Sequence, residues 1–164
     1  MREEIYRIFD ANINRAREGL RVCEEVARFI LCDEKLTRRL KSARHQVTKI
    51  IQGLNIDTKR LFTIRDARKD VGARTYPRSE GKRKSYQDIV TSNMKRAEES
   101  LRVLEEFTKK INPSAGARFK KLRFQAYDLE KELLEKLESG PRRAGSKGSG
   151  SPLRSEKWES EQNN

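Results

Sequence analysis

The sequence carries the same set of polar residues twice, at the same spacing. An asparagine, an arginine and a glutamate follow one another at three-residue intervals, and the set recurs 81 positions later as the pairs Asn12/Asn93, Arg15/Arg96 and Glu18/Glu99. Guanidinium groups match the geometry of phosphate oxygens, amides hydrogen-bond polar rings, and carboxylates hold divalent cations. This chemistry predicts catalytic arginines that bind phosphate, substrate-binding asparagines, and glutamates that contribute to a metal site.

The position of these residues on a helix leaves two interpretations open. At ~100° per residue, Asn12 lies in the middle of the apolar arc and Arg15 lies inside it, whereas Arg21 faces water. A buried arginine without a partner is strongly unfavourable. Either Arg15 pairs internally with Glu18 or Glu99 while the asparagine caps a helix end, or the duplicated residues line a cavity that receives a phosphate or a polar ring.

A second group of candidates lies in the segment TIRDARKDVG, residues 63–72. Asp66 and Asp70, four residues apart, offer carboxylates for a divalent cation, and Asp66 is also a catalytic candidate. Arg65 is predicted to bind substrate phosphate, and Gly72 closes the motif as part of the same substrate site. Loops rich in aspartate and arginine are common, so this motif carries little weight alone. Neither GxxxxGK[ST] nor GxGxxG occurs, which excludes the classical nucleotide-binding folds.

Adjacent Arg44 and His45 are further candidates for substrate binding. His45 is the only histidine, but Phe124 takes its place in the repeat, so a partly buried packing role is the alternative to acid–base chemistry. The duplicated acid pairs are predicted to form mainly a solvated helix face, at Glu24-Glu25 and Glu105-Glu106.

Hydrophobic periodicity predicts the helices that position these residues. Apolar residues recur at three- and four-residue intervals, which predicts helices over about 4–31, 34–54, 86–111 and 115–138, with no helical periodicity between 55 and 85. Residues 12–28 align without gaps on 93–109, with nine of seventeen positions identical. The sequence therefore predicts an all-α fold, a four-helix-bundle-like domain of two helical hairpins related by a pseudo-twofold axis and joined by a long crossover loop.

Composition limits the class of protein. Lys and Arg number 38 against 25 Asp and Glu, a net charge of +13 that indicates an anionic partner, either nucleic acid or a small phosphorylated ligand. The basic residues are interleaved with acids rather than segregated, which makes a nucleic-acid face less favoured. Two cysteines and one histidine exclude a four-ligand zinc site of the usual kind. No membrane span or signal segment is visible, so we expect a cytoplasmic protein.

A change in composition at residue 140 divides the chain. Residues 1–139 form the predicted helical domain, and 140–164 are rich in Gly, Ser, Pro and charge, which predicts a disordered tail or a linker. Hydrophobic residues make up only 34% of the chain, so the predicted core is thin and a homo-oligomer is plausible.

The ordered strings DANINRAREGLRVCEEVARF, RH, RDARKDVG and SNMKRAEESLRVLEEF resemble the second, non-ribokinase type of hydroxymethylpyrimidine-phosphate kinase. This helical domain occurs alone and N-terminal to some bacterial thiamine-phosphate synthases. The resemblance covers about residues 5–135. One departure is visible, because RDARKDVG has Ala-Arg-Lys where the family pattern has a Pro-Gly-like turn.

The resemblance implies an ATP-dependent phosphorylation of 4-amino-5-hydroxymethyl-2-methylpyrimidine phosphate to its diphosphate, with Mg²⁺, and a functional link to thiamine-phosphate synthase. The positions that match the family are Asn12, Arg15, Glu18, Arg44, His45, Arg65, Asp66, Asp70, Gly72, Asn93, Arg96 and Glu99. Two alternatives remain: a basic helical module that binds nucleic acid, and a non-catalytic accessory or dimerisation domain of the synthase.

Overall fold

The computed structural model describes residues 2–54, 56–65 and 83–139, and every element among them is helical. Helix α1 spans Glu3–Glu25 and continues into a π-helical turn, Val26–Ile30. The other helices are α2 (Glu34–Gln52), α3 (Thr58–Thr63), α4 (Tyr86–Lys109) and α5 (Pro113–Ser139). The all-α prediction is confirmed. The ends of the four long helices lie within about two residues of the predicted positions when the π-helical turn Val26–Ile30 is counted as the end of the first helix.

Side-chain caps fix where three of the helices begin. Asp33 accepts a hydrogen bond from the Leu36 amide at 2.8 Å at the start of α2, and Ser85 accepts one from the Asp88 amide at 3.1 Å at the start of α4. Asn112 Oδ1 accepts from the Ala115 amide at 3.0 Å ahead of α5. Each cap satisfies one of the backbone donors that a helix start leaves unpaired.

The four long helices form a closed bundle. Helix α1 packs against α2 and α4, and α5 packs against α2 and α4, so the two hairpins α1–α2 and α4–α5 lie side by side. The core is built from the apolar stripes of all four helices, and its largest fully buried side chains are Phe9, Phe119, Leu20, Leu36, Leu40, Ile50, Met94, Leu101, Leu104, Leu122, Leu129 and Leu133.

A glycine sets the distance between the two duplicated helices. A methyl group added at Gly19 would overlap the carbonyl oxygen of Asn93 and lie 3.3 Å from Cβ of Ala97. The backbones of α1 and α4 are therefore in direct contact at this crossing. In the aligned repeat, position 19 corresponds to Ser100, whose hydroxyl donates to the Arg96 carbonyl at 2.8 Å, so the two halves are not identical at the contact.

The crossover segment contains a helix that periodicity did not predict. Helix α3 packs against α1 and is only six residues long, too short to show an apolar repeat. Residues 66–82, and with them the predictions for Asp66, Asp70 and Gly72, lie outside the described residues. The predicted tail, 140–164, also lies outside them. Among the described helices, none is long and apolar enough to cross a membrane.

Candidate functional site

A cavity of about 760 Å³ opens where α1 crosses α4. Its described lining comes mainly from these two helices, with Arg83 from the segment before α4: Asn12, Arg15, Arg83, Ser92, Asn93, Lys95, Arg96, Glu99, Ser100 and Val103. Five of the six residues of the duplicated polar set therefore meet at one place. The crossing of the duplicated helices brings together residues that are 81 positions apart in sequence.

The described lining of the cavity is cationic, and two of its cations also face carboxylates just outside it, Lys95 with Glu98 and Glu130 and Arg96 with Glu18. Four cationic side chains line it against one carboxylate, Glu99, so the described lining carries a formal charge of +3 (4 − 1). Arg15 and Arg96 are both exposed to solvent at its rim. Guanidinium groups in a concave, solvent-connected site bind phosphate groups through charge-assisted hydrogen bonds. The cavity therefore has the electrostatics of a site for a polyanionic small ligand.

The two asparagines hold the same conformation in both halves. Asn12 Nδ2 donates to the Ile8 carbonyl, and Asn93 Nδ2 donates to the Ile89 carbonyl, each at 2.8 Å. Asn12 is buried and Asn93 is half-buried. Within residues 2–54, 56–65 and 83–139 no protein donor bonds to either amide oxygen. Both amides are thus fixed by their own helix and keep hydrogen-bonding capacity for a ligand.

The prediction that Arg15 and its counterpart lie inside a buried arc is wrong. Both arginines are exposed, and the side chain of Arg96 is 56% accessible to solvent. Its closest carboxylate, Glu18 Oε2, lies 3.7 Å from Nη2 and is itself exposed. The helical wheel failed here because the apolar arc of α1 faces two environments. The side of the arc that carries Leu20 is buried in the core, whereas the side that carries Arg15 faces the open cavity, with Asn12 between them.

The prediction of a solvated face for the duplicated acid pairs is also wrong for their first members. Glu24 and Glu105 are buried, with 3% and 1% exposure. Arg44 Nε donates to Glu24 Oε2 at 2.9 Å, and Arg123 donates to Glu105 Oε2 from both Nε (3.1 Å) and Nη2 (2.9 Å). Hydrogen bonds from Arg123 and Lys109 lower the pKa of Glu105 despite its burial.

Two of the predicted substrate-binding residues therefore lie away from the cavity. Arg44 is on α2 and is engaged by the buried carboxylate of Glu24. His45, also on α2, is exposed, so the alternative interpretation as a partly buried packing residue is wrong as well. Neither side chain belongs to the described lining of the cavity.

An aspartate that the sequence did not single out holds the end of the described crossover segment. Arg65 donates to Asp10 through Nε (2.7 Å to Oδ2) and Nη2 (2.5 Å to Oδ1). Asn14 also donates to Asp10 Oδ1, at 3.1 Å. The bidentate bond raises the pKa of Arg65, and Glu18 adds to the effect. Arg65 is thus placed beside α1, on a face that also carries Glu18. No local signal marked Asp10, because on the helical wheel it lies outside the apolar arc and its burial depends on the long-range bond from Arg65.

Lys95, at the wall of the cavity, contacts two carboxyl groups, the buried Glu98 and the half-buried Glu130. Its Nζ lies 3.3 Å from Glu98 Oε2 and 3.3 Å from Glu130 Oε2. Glu98 is buried, and its Oε1 has no hydrogen-bond partner among the described residues. Burial and the neighbouring Glu130 raise the pKa of Glu98 to about 7. Burial, with these two acids nearby, raises the pKa of the Cys23 thiol to about 12, so this thiol is inert.

The described residues do not build a metal site by themselves. No group of three or more His, Cys, Asp or Glu side chains with metal-binding geometry occurs in the described ranges. Of the two predicted glutamate ligands, Glu99 lines the cavity, whereas Glu18 faces Arg96. A single carboxylate with several cations around it does not hold a divalent ion tightly without further oxygen ligands.

A smaller groove of about 350 Å³ runs along the N-terminal half of α1. Its described lining residues all belong to this helix: Glu4, Arg7, Ile8, Ala11, Asn12 and Arg15. Two of these residues, Asn12 and Arg15, line the main cavity as well. The groove and the cavity therefore meet at this asparagine–arginine pair.

A helical bundle with a cationic cavity between two duplicated helices defines the class of this protein, and comparison with known proteins gives the family. Residues 7–132 match the ThiD2 family. The chain is 38% identical over 135 residues to the thiamine-phosphate synthase of Nostoc punctiforme, covering 82% of this chain and 36% of that protein. It is 41% identical over 130 residues to the thiamine-phosphate synthase of Synechocystis, covering 79% and 36%.

The same relationship extends beyond these two bacteria. The thiamine-phosphate synthase of Rhodopirellula baltica is 38% identical over 133 residues, covering 81% of this chain and 35% of that protein. No solved structure matches the chain. This chain belongs to the ThiD2 family, and it spans about a third of the length of the curated relatives it matches. The names of these relatives connect the family to thiamine biosynthesis.

Proposed function

We propose that this chain is a kinase that transfers phosphate from ATP to 4-amino-5-hydroxymethyl-2-methylpyrimidine phosphate and forms the diphosphate that thiamine-phosphate synthase consumes. The observation that carries the proposal is the cavity at the α1–α4 crossing, where duplicated Asn12/Arg15 and Asn93/Arg96 meet with a net positive lining. The proposal also rests on membership in the ThiD2 family and on relatives named thiamine-phosphate synthase.

The reaction requires positioning and charge neutralisation more than acid–base catalysis. An oxygen of the acceptor phosphate monoester attacks the γ-phosphorus of ATP, and the bond from that phosphorus to the β–γ bridging oxygen breaks, so that ADP leaves with the electron pair. The second pKa of a phosphate monoester is about 6, so the attacking oxygen carries no proton at neutral pH. No general base is needed, in agreement with a cavity whose described lining contains no histidine.

The roles of the residues follow from this chemistry. Arg15 and Arg96 would bind the phosphates and stabilise the charge that spreads over the transferred group. Arg65, a phosphate ligand in the sequence-based prediction, donates to Asp10 and does not belong to the described lining of the cavity, so it is not given this role. Asn12 and Asn93 would hydrogen-bond the pyrimidine or orient the acceptor phosphate.

Magnesium would bind together with ATP, because the co-substrate is the Mg-ATP complex. Mg²⁺ neutralises charge on the phosphate oxygens when it is bound. Glu99 offers one carboxylate at the cavity wall, and Asp66 and Asp70 remain the sequence-based prediction for the other ligands. Glu18 is less suited to this role because it faces Arg96.

A second candidate function is that of a non-catalytic accessory domain of the synthase. It is favoured by one observation: the curated relatives carry the name thiamine-phosphate synthase, and this chain corresponds to only about 36% of their length. An accessory domain would associate with the synthase but form no diphosphate. Nucleic-acid binding, suggested by the charge of +13, is the third candidate.

The deciding experiment is an assay of diphosphate formation. The full chain is incubated with Mg-ATP and the pyrimidine monophosphate, and the diphosphate is detected through added thiamine-phosphate synthase and the thiazole phosphate. We expect product with the wild-type chain and a large loss with Arg96→Ala. Absence of product, with thermal stabilisation by the synthase alone, supports the accessory role. Binding of RNA or DNA with a steep salt dependence supports the third candidate.

A further inference from the structure

Phosphoryl transfer between two phosphorylated molecules requires two adjacent sites. The attacking oxygen and the phosphorus must approach to about 3–3.5 Å in line. Each of the two ligands also needs cationic side chains that neutralise its phosphate groups. The α1 surface provides such a pair, because the main cavity and the smaller groove share Asn12 and Arg15 and no other described residue. This arrangement extends the proposed function and rests on it.

The main cavity and the groove differ in the charged side chains of their described linings. The described lining of the main cavity carries +3, from four cations and one acid. The groove carries +1, from Arg7 and Arg15 against Glu4 (2 − 1). Lys95 and Arg96 of the cavity also face carboxylates outside the lining, so the comparison rests on the number of cationic groups, which is four in the cavity and two in the groove. The several phosphates of a nucleoside triphosphate need more cationic donors than a phosphate monoester, which favours the triphosphate in the cavity.

Size and polarity give the same assignment. The cavity, at about 760 Å³, is roughly twice as large as the groove, at about 350 Å³, and the nucleoside triphosphate is the larger ligand. The groove adds two half-buried apolar side chains, Ile8 and Ala11, which offer a surface for a planar methylated ring. Glu4, at the same groove, offers an acceptor for an exocyclic amino group.

We infer that the groove lined by Arg7, Ile8 and Ala11 is the site of the pyrimidine monophosphate, and that the main cavity is the site of the nucleoside triphosphate. Arg15 lies at the junction and contacts both the transferred and the accepting phosphate. The two halves of the duplicated bundle therefore have different roles. Helix α1 provides the acceptor groove and one wall of the donor cavity, and α4 provides the other wall of the donor cavity.

The test measures the affinity of each ligand separately on the full-length chain. Isothermal titration uses a non-hydrolysable ATP analogue with Mg²⁺ and, independently, the pyrimidine monophosphate. The variants are Arg7→Gln in the groove, Arg96→Gln in the cavity and Arg15→Gln at the junction. Arg17→Gln is the matched control, because Arg17 is an exposed arginine of α1 that belongs to neither described lining.

We expect each variant to weaken the ligand of its own site by about tenfold, the effect of one charge-assisted phosphate contact. Arg7→Gln should affect the pyrimidine monophosphate alone, Arg96→Gln the nucleotide alone, and Arg15→Gln both. The control should affect neither. Saturation with the nucleotide analogue should leave the pyrimidine monophosphate bound.

Other patterns overturn the inference. If the two ligands displace each other, or if Arg7→Gln leaves the affinity for the pyrimidine monophosphate unchanged, the groove is not the acceptor site, although the kinase proposal stands as long as diphosphate is formed. If the chain binds neither ligand and forms no diphosphate, the proposed function fails together with this inference.

Discussion

Glu24 and Glu105 occupy equivalent positions in the two halves of the bundle and are neutralised in the same way. Each accepts a hydrogen bond from the arginine three residues earlier on its own helix, Arg21 at 3.3 Å and Arg102 at 2.9 Å. Each also accepts from an arginine of the following helix, through one hydrogen bond from Arg44 to Glu24 and two from Arg123 to Glu105. The sequence duplication therefore extends to a buried ion network that joins the two helices of each hairpin.

Breaking this network should destabilise the fold. Glu105→Gln leaves Arg123, whose side chain is only 11% exposed, without its carboxylate, and the loss of one partner of a buried pair costs about 3 kcal/mol. Thermal and urea unfolding should show this loss. Glu106→Gln is the control: its carboxylate is half exposed and pairs with the same Lys109, and the change should have little effect. Equal stability of the two variants would contradict a structural role for the network.

The duplicated arginines should control ligand affinity, whereas a third arginine should not. Arg15→Ala and Arg96→Ala each remove a guanidinium from the cavity and should weaken Mg-ATP or pyrimidine phosphate binding by about tenfold or more. Arg21→Ala should have little effect, because Arg21 pairs with Glu24 and Glu25 and is absent from the described lining. A binding titration in which all three variants behave alike would remove the basis for the proposed site.

Substitution of one glycine should separate the duplicated helices. Gly19→Ala adds a methyl group that overlaps the Asn93 carbonyl, so α1 and α4 must move apart. The melting temperature should fall even though alanine favours a helix over glycine by about 1 kcal/mol. Gly53→Ala is the matched control, since Gly53 has φ −78° and its added Cβ would meet its nearest atoms at 3.5 Å. We expect unchanged or higher stability for the control.

Stability should depend on the protonation of Glu98. The pKa of Glu98 is raised from 4.5 to about 7. Between these two pH values Glu98 is protonated in the folded chain, whereas in the unfolded chain it has released its proton. The stability from this group is fully present below about pH 4.5 and is lost as the pH rises through about 7. Glu98→Gln should reduce this dependence and melt above the wild type at about pH 8.

The control for this measurement is a glutamate one position away. Glu99→Gln changes an exposed side chain and should leave the dependence of melting temperature on pH unchanged. If Glu98→Gln and the wild type lose stability in parallel between about pH 5 and about pH 8, the Glu98–Glu130 pair does not hold the proton.

The helices and their order could be predicted because the information is local. The apolar repeat in 12–28 and 93–109 gives both the helical period and the duplication. The caps that the structure shows at Asp33, Ser85 and Asn112 are also local, since each joins residues three apart. Helix α3 could not be predicted, because six residues are fewer than two turns and show no periodicity.

Only part of the candidate site could be predicted from the sequence, and its environment could not. The duplication identified Asn12, Arg15, Asn93 and Arg96, which do meet at one cavity. Their exposure depends on how α1 crosses α4, and a single-helix wheel contains no information on a neighbour. The burial of Glu24 and the bond from Arg65 to Asp10 depend on partners 20 and 55 residues away, which no local pattern reveals.

The contact at Gly19 has a consequence for how the cavity can adapt to its contents. Because the main chains of α1 and α4 touch there, the two helices cannot move closer together, and the backbone sets a lower limit to the width between the two asparagine–arginine pairs. The exposed side chains of Arg15 and Arg96 can still change rotamer above that limit. Under the proposed function, ligands of different length would therefore be accommodated by the two arginine side chains while the spacing of the helices stays constant.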